Sequence, residues 1–319
     1  MQKPIVYFIV GATATGKTAA AVSIAKRLDG EVISADAIQI YRGLDKGSAK
    51  PTAEEMDGVP HHFIDTVDYT CDDYNAARFA ADAAVCINGI ISRGHVPIVA
   101  GGTGLYVNSL VYPLNFTAVK PNDKLRTALE ADEQAAPGTL YKRLQLLDAE
   151  AADRLHPNDT KRIVRALEVC LSTGTSLTAQ GGDFLNQRNN EIPYDPIMAG
   201  IFMDRAVLYE RINRRVDIML ENGLVEEARR LYEECGERGL HSMQAIGYKQ
   251  LIAYFEGECT YEDAVETIKR ETRRFAKRQI AWFKRDGRIK WFDALQYDSP
   301  EALADDIYDY FIKESQHGG

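Results

Sequence analysis

The chain has 319 residues, of which 38 are Lys or Arg and 47 are Asp or Glu, so its net charge at pH 7 is −9. Hydrophobic residues make up 45% and charged residues 27%, a composition that excludes a mainly disordered chain. No stretch approaches the roughly 18 uninterrupted apolar residues of a membrane span, so we expect no membrane partner. The five cysteines form no CxxC pair, which disfavours a zinc or disulfide framework and favours a reducing, cytoplasmic compartment.

The first hundred residues predict alternating strands and helices. A β-rich run over 4–10 leads into GATATGKT and then into a segment with helical apolar spacing. EVISADA (31–37) and HVPIVAGG (95–102) are typical of buried strands, and an Ala-rich helix is predicted over 75–93. This alternation indicates an α/β fold with a parallel sheet, similar to that of the phosphate-loop NTPases.

Strand signals fade between about 120 and 190, where KLRTALEADEQ, TLYKRLQLLDAEAADRL and DTKRIVRALEVCLST have helical periods and GGDFLNQRNNEIP reads as a polar loop. We therefore predict a core formed by 1–118 and 196–319, with a helical subdomain inserted over 119–195. After a returning strand over 196–203 the C-terminal part is predicted to be mostly helical. Its predicted helices are 205–222, 224–235, 244–256, 261–285 and 299–315, with KWFD (290–293) as a last strand.

Residues 11–18 fit the phosphate-binding pattern GxxxxGK[ST] between a predicted strand and a predicted helix. Its glycines permit the tight backbone, and consecutive N–H groups at a helix N-terminus attract an anion. Lys17 adds positive charge, and the Thr18 hydroxyl is a usual Mg²⁺ ligand. The pattern predicts a bound polyphosphate, as in ATP-binding proteins, without identifying the reaction. The predicted binding residues are Gly11, Ala12, Thr13, Ala14, Thr15, Gly16, Lys17 and Thr18.

Two further strand ends carry candidate functional residues. Asp36 follows the second predicted strand, and Thr103 follows a glycine pair at the end of the strand over 95–102. Since ligands bind at the carboxyl ends of strands in open α/β sheets, both residues are expected to face the phosphate loop. Asp36 is a candidate Mg²⁺ ligand or general base, or else a helix cap. The glycines around Thr103 are also compatible with a simple tight turn.

A basic block interrupts the acidic chain. Residues 269–290 hold ten basic and two acidic residues, a net charge of +8. Apolar spacing over 262–285 predicts an amphipathic helix whose basic residues lie mostly off the buried stripe. The block is either a solvated charged face or a surface for nucleic-acid phosphates, and the scarcity of acidic partners favours the second interpretation. The candidate phosphate contacts are Arg273, Arg274, Lys277 and Arg278.

Together these motifs resemble the bacterial tRNA dimethylallyltransferases, also called tRNA isopentenyltransferases. The resemblance spans nearly the whole chain and depends on the following segments: GATATGKT, SADAIQIYRGLDKGSAKP, HHFID, AGGTGLY, HPND with KRIVRALEV, DRAVLYERINRRVDIML, QAIGYKQ and TRRFAKRQIAWFK. The resemblance implies Mg²⁺-dependent transfer of a dimethylallyl group from dimethylallyl pyrophosphate to tRNA. The acceptor would be the exocyclic amine of the adenosine beside the anticodon, position 37, giving N6-isopentenyladenosine and pyrophosphate.

The resemblance also implies roles for individual residues. The phosphate loop would hold the pyrophosphate of the prenyl donor, Asp36 would act as general base, and Thr103 would line the reaction channel and contact the flipped adenine. The candidates for pyrophosphate binding or for helix packing are Arg205, Arg211 and Arg215. Of these, Arg215 is predicted to bind pyrophosphate. The tRNA anticodon stem-loop is expected to bind as a partner of a monomeric enzyme. The implied tRNA contacts outside the basic block are Asp36, Ala37, Ile38, Gln39, Thr103, Arg126, Lys161, Arg162, Ile163, Val164 and Arg165.

Other functions share parts of this pattern. A nucleoside or nucleotide kinase would have the same phosphate loop and an inserted helical lid, but it would not need the basic block. A prenyltransferase acting on free adenine nucleotides would differ only in its acceptor. A nucleotide-dependent switch would need a guanine-reading NKxD sequence, which the chain lacks.

Overall fold

The computed structural model describes residues 3–71, 73–112, 122–178, 192–235 and 240–317. Its strands are β1 (Ile5–Gly11), β2 (Gly30–Ala35), β3 (His61–His62), β4 (Val96–Gly101), β5 (Asp195–Phe202) and β6 (Lys290–Asp293). They form one sheet in the order β3-β2-β4-β1-β5-β6, and every neighbouring pair is parallel. The predicted α/β class and parallel sheet are confirmed.

Helices make up most of the remaining described chain. They are α1 (Lys17–Leu28), α2 (Ala53–Met56), α3 (Ala76–Ser92), α4 (Gly104–Val111), α5 (Asp123–Ala135), α6 (Thr139–Leu147), α7 (Ala149–Arg154), α8 (Thr160–Thr173), α9 (Arg205–Glu221), α10 (Leu224–Cys235), α11 (Tyr248–Phe255), α12 (Tyr261–Phe283) and α13 (Pro300–His317). The chain divides into two compact units, one formed by Met1–Val111 with Pro193–Gly319 and the other by Tyr112–Ile192. The sequence-based limits of the inserted part are 119–195, and residue 119 falls outside the described residues.

The first unit is built around the sheet. Apolar side chains of α1 and α13, such as Ile24 and Ile307, are buried in one cluster with Ile9 of β1. The ring of Phe311 stacks on Tyr7 with a centroid separation of 4.6 Å. Burial of this apolar surface is the main favourable contribution to folding, and it fixes the strands that carry the candidate site.

The register of the three central strands brings their carboxyl ends together. Ala35 of β2 pairs with Gly101 of β4, and Gly101 pairs with Val10 of β1. The close approach depends on glycine, since a Cβ on Gly101 would lie 2.2 Å from the carbonyl oxygen of Ala35. The loops that follow β1, β2 and β4 therefore begin at one edge of the sheet.

The second unit has its own apolar core, to which α5, α6, α7 and α8 contribute. The helical period predicted over 139–155 is confirmed, but the structure divides this segment into two helices at Asp148. Asp148 adopts a non-helical backbone between them, and its side chain accepts a hydrogen bond from the backbone N–H of Ala151 at 3.0 Å. A carboxylate that caps a helix start favours a break over continuation.

Other differences are local. The helix predicted over 244–256 begins only at Tyr248, because Gly247 has a φ of +104° that an α-helix does not accommodate. The two-residue strand β3 and the single-turn helix α2 carry too short a periodic pattern to be predicted. Most of the polar loop predicted over 181–193 lies outside the described residues.

Candidate active site

The phosphate loop connects β1 to α1 with a backbone that requires glycine at two positions. A Cβ on Gly11 would lie 2.5 Å from the carbonyl oxygen of Ile201, and Gly16 has a φ of +96°. Ala14 also has a positive φ, of 64°. Inside the loop, the hydroxyl of Thr15 donates to the carbonyl oxygen of Ala12 at 2.8 Å. This internal bond holds the loop in its turn.

The charges of Arg215 and Asp36 both act on Lys17. Its ammonium donates to the carbonyl oxygen of Ala12 at 2.5 Å. Burial and the nearby charge of Arg215 lower the pKa of Lys17 to about 7, and the attraction of Asp36 opposes this shift only in part. An anion placed against Lys17 would favour its protonated form. Thr18, the next residue, is exposed in the first turn of α1.

Arg215 of α9 is the arginine that belongs to this charged group. Burial lowers its pKa from the ordinary guanidinium value, against the attraction of Asp36 and Glu55. Its guanidinium donates to the carbonyl oxygen of Ala49 at 3.2 Å. Arg205, by contrast, places its guanidinium over the ring of Tyr209, 5.0 Å from the centroid.

Asp36 stands directly after β2, half-buried. One carboxylate oxygen, Oδ1, accepts from the backbone N–H of Ile38 at 2.9 Å and from that of Gln39 at 3.2 Å. The carboxylate thus caps a turn after the strand, whereas the helix cap offered as one alternative is not found, because no helix begins here. Both bonds use the same oxygen, so capping fixes the orientation of the group without occupying Oδ2.

Thr103 is tied to the segment that carries Asp36. Its backbone N–H donates to the carbonyl oxygen of Ala35 at 3.1 Å, and its hydroxyl oxygen accepts from the backbone N–H of Ala37 at 3.0 Å. The two bonds bracket Asp36 on both sides. The structure therefore brings Lys17, Asp36, Thr103 and Arg215 to one end of the sheet.

Gln279 of α12 is part of this arrangement, although its sequence pattern did not mark it as a site residue. Its side-chain oxygen accepts from the backbone N–H of Thr13 at 2.9 Å, and its side-chain nitrogen donates to the carbonyl oxygen of Gly102 at 2.9 Å. The residue is buried. The one signal in the sequence was a glutamine at an apolar position of an amphipathic helix, since a buried amide needs hydrogen-bond partners.

The basic face of α12 has more partners than its sequence suggests. Lys269 pairs with Asp217 at 2.6 Å, Arg274 pairs with Glu271 at 2.7 Å, and Arg273 donates to Asn213 at 2.6 Å. The scarcity of acidic residues within the block therefore understates its partners, because α9 supplies the carboxylate of Asp217 and the amide of Asn213. Lys277 and Arg278 are exposed.

In the second unit, Glu168 organises two of the arginines predicted to contact tRNA. Its fully buried carboxylate accepts two bonds from Arg126, at 2.9 and 3.0 Å, and one from Arg165 at 2.6 Å. The backbone N–H of Asn122 donates to it as well, at 2.7 Å. Burial would raise the pKa of Glu168, but these hydrogen bonds and charges hold it below its usual value.

The predicted contact segment 161–165 has two kinds of side chain. Lys161 and Arg162 are exposed at the start of α8, whereas Ile163 and Val164 are buried in the core of the second unit. Side-chain contacts from this segment to a partner are therefore restricted to its charged members.

The described parts of the chain hold neither a metal-ligand cluster nor a membrane span. No group of three or more His, Cys, Asp or Glu residues there is arranged to hold a metal ion. None of the helices there has the length and apolar character needed to cross a membrane.

Comparison with known proteins defines the class. Residues 39–286 match the family described as IPP transferase. The chain is 45% identical to the tRNA dimethylallyltransferase of Halalkalibacterium halodurans over 91% of each chain. It is 42% identical to that of Bacillus subtilis over 92% of this chain and 91% of the relative. The fold and these matches identify the chain as an enzyme of the phosphate-loop α/β class. The chain belongs to the IPP transferase family.

Two solved structures are also similar to this chain in fold and sequence. The full-length tRNA isopentenylpyrophosphate transferase from Bacillus halodurans superposes with a TM-score of 0.74 at 41% identity, covering 99% of this chain and 98% of that one. A eukaryotic dimethylallyltransferase acting on tRNA gives a TM-score of 0.79 at 29% identity, covering 98% of this chain and 80% of the other.

The arrangement around Glu168 gives a prediction on stability. Glu168→Gln should lower the free energy of unfolding by about 1.5–3 kcal/mol at pH 7, because charge-assisted bonds to Arg126 and Arg165 are removed. The folded-state pKa of Glu168 lies below the unfolded value of about 4.3, so its stabilisation is present above that pH and is lost as the pH falls through the folded-state pKa. Urea unfolding of both proteins between pH 7 and pH 3 should show the difference shrinking in acid.

Glu150→Gln is the matched control. Glu150 also pairs with an arginine in the second unit, Arg154, but its side chain is 60% exposed. Its removal should change stability by less than about 0.5 kcal/mol. A Glu168→Gln effect equal to this control would contradict the assigned role.

Proposed function

We propose that the chain transfers a dimethylallyl group from dimethylallyl pyrophosphate to the exocyclic amine of adenosine 37, beside the anticodon of tRNA, giving N6-isopentenyladenosine and pyrophosphate. The observation that carries the proposal is the convergence of the phosphate loop, Asp36 and Thr103 at one edge of the sheet in a member of the IPP transferase family. The relatives named as tRNA dimethylallyltransferases support the acceptor and the donor group.

The donor pyrophosphate would bind at the phosphate loop. Backbone N–H groups at the start of α1, the ammonium of Lys17 and the guanidinium of Arg215 supply positive charge there. Negative charge grows on the pyrophosphate as the bond from C1 of the dimethylallyl group to oxygen breaks. Donors already fixed at that place stabilise the departing group without reorganising.

Asp36 would accept the proton released by the acceptor. The adenine amine forms a bond to C1, the C1–oxygen bond breaks with its electron pair leaving on pyrophosphate, and the amine loses one proton. The backbone bonds to Oδ1 fix the carboxylate, and Oδ2 would take the proton. Adenine must leave the anticodon stack to reach this position, as in other enzymes that modify bases.

Mg²⁺ is the cation we propose to accompany the donor. The Thr18 hydroxyl is a hard oxygen donor, and Mg²⁺ is commonly held by one or two such protein groups together with substrate phosphates. When bound, the cation would neutralise charge on the leaving pyrophosphate.

The tRNA backbone would bind positive side chains in both units. Lys277 and Arg278 are exposed on α12, and Lys161 and Arg162 are exposed on α8. Arg126 and Arg165 are oriented by Glu168. Phosphate contacts of this kind give affinity and register, whereas the adenine pocket selects the base.

The proposed reaction can be measured directly. Unmodified tRNA incubated with the protein, Mg²⁺ and dimethylallyl pyrophosphate should yield N6-isopentenyladenosine on nucleoside mass spectrometry. Asp36→Asn should lower the single-turnover rate by about 10²–10⁴, because a positioned general base contributes that much. Asp309→Asn, which removes an exposed carboxylate from α13, should leave the rate unchanged. ATP turnover without prenyl transfer by the wild type would favour a kinase instead.

The Mg²⁺ dependence of the rate tests whether Thr18 is a ligand of the cation. Thr18→Ala should raise the Mg²⁺ concentration needed for half-maximal rate, because one oxygen ligand is removed. Titration of Mg²⁺ at saturating donor and tRNA measures this, and tRNA affinity serves as the internal control. An unaltered Mg²⁺ titration would exclude Thr18 as a ligand.

Salt dependence tests the basic face of α12. Replacing Lys277 and Arg278 by Gln should weaken tRNA binding and reduce the slope of log K against log salt by about 0.7–0.9 for each phosphate that is no longer neutralised. Arg273 is left in place because it supports α9 through Asn213. The control variant replaces the exposed Lys249 and Lys313 by Gln, which removes the same charge from elements outside the basic block. Equal slopes in the two variants would show a general charge effect only.

A further inference from the structure

We propose that Gln279 is a positioning residue that holds the loop binding the prenyl donor and the loop lining the acceptor side at a fixed separation. The inference rests on the proposed function and adds to it a residue on α12 that touches neither substrate. It follows from one bridging amide, from the burial of that amide, and from a chain of hydrogen bonds that leads to Asp36.

The bridge joins two loops that follow neighbouring strands. Gln279 accepts from the N–H of Thr13, which follows β1, and donates to the carbonyl of Gly102, which follows β4. Both bonds are 2.9 Å long, within the usual range for amide groups. A carboxamide has one acceptor and one donor end and can satisfy both partners at once. A carboxylate of the same size would accept from Thr13 but could not donate to Gly102.

Packing leaves the bridge little freedom. Gln279 is 6% exposed, and a Cβ on Gly102 would lie 2.2 Å from its side-chain nitrogen. One turn along α12, the indole of Trp282 lies so close to Gly104 that a Cβ there would be 2.3 Å away. Two contacts of the same helix therefore hold the loop that contains Thr103.

The bridge continues to the proposed base. Gly102 precedes Thr103, whose backbone and side chain bond to Ala35 and Ala37 on either side of Asp36. A series of hydrogen bonds, continued by the covalent link from Gly102 to Thr103, thus runs from the phosphate loop through Gln279 to the Asp36 segment. Of the groups expected to bind the donor, Thr13 belongs to this series, whereas Lys17 and Arg215 do not.

Loss of the bridge should separate catalysis from binding. Pyrophosphate keeps Lys17 and Arg215, and tRNA keeps the exposed residues of α12 and α8. The distance between the reacting groups, however, is no longer fixed, and a displacement of about 1 Å from a reactive geometry can cost about 10² in rate. A residue with only a structural role would lower stability without this selective loss of rate.

The test compares Gln279→Met with Gln250→Met. Methionine preserves the length of the side chain and removes its hydrogen bonds. Gln250 is also buried and accepts from a backbone N–H, that of Gly247 at 2.9 Å, but it lies in α11 and joins no strand-end loops. Single-turnover rate at saturating donor and tRNA, the Kd of inorganic pyrophosphate and the Kd of tRNA are measured for each variant and the wild type.

We expect Gln279→Met to lose about 10–100-fold in rate while both Kd values change less than about threefold, and Gln250→Met to keep the wild-type rate. Gln279→Glu should lose rate as well, since it restores only the Thr13 bond. A wild-type rate in Gln279→Met, or a pyrophosphate Kd that rises in proportion to the loss of rate, would overturn the proposal.

Hydrogen exchange gives a readout that does not depend on activity. The amide of Thr13 should be protected in the wild type and in Gln250→Met and should exchange faster in Gln279→Met, because its acceptor is gone. Equal protection of the Thr13 amide in all three proteins would contradict the hydrogen bond from Thr13 to Gln279. Absence of prenyl transfer by the wild type would instead overturn the proposed function, while the exchange result would still report on Gln279.

Discussion

The candidate site depends on the close parallel approach of β2, β4 and β1 at their carboxyl ends. Gly101 lies so near the carbonyl of Ala35 that a side chain on it would collide with the backbone, and Gly11 is similarly near Ile201 of β5. These contacts bring three loops to one edge, where the first supplies positive charge, the second a carboxylate and the third a hydroxyl. The sheet thus brings residues that are distant in sequence together at one site.

Polar bonds between these loops then define their geometry. Thr103 bonds on both sides of Asp36, and Gln279 joins the phosphate loop to the loop of Thr103. Because buried polar groups must be paired, each bond also limits where the next loop can lie. In the second unit Glu168 acts in the same manner, since one buried carboxylate orients Arg126 and Arg165. Gln279 and Glu168, which have no expected part in the reaction itself, therefore fix the positions of residues that would take part in it.

Sequence reasoning succeeded where the signal was local. The phosphate loop was recognisable because eight consecutive residues carry it, and the strands around it have buried, β-rich patterns. It failed where the partner came from elsewhere in the chain. Nothing near Lys269 or Arg273 predicted their contacts with α9, and Gln279 looked like a polar member of an apolar stripe. The break at Asp148 was also missed, because helical spacing continues across it and only the capping bond reveals the boundary.

The distribution of charge at the strand ends suits a site built for a highly charged anion. Burial and the nearby charge of Arg215 lower the pKa of Lys17 to about 7, and burial lowers the pKa of Arg215 as well, with a smaller contribution from Arg211. The carboxylate of Asp36 opposes both shifts only in part, and that of Glu55 also acts on Arg215. Burial makes positive charge costly at both side chains, and a pyrophosphate bound beside them would favour their protonated forms. The same carboxylate that acts on both cations is the group proposed to take the acceptor's proton, so the residues proposed for the donor side and for the acceptor side of the reaction belong to one group of charges.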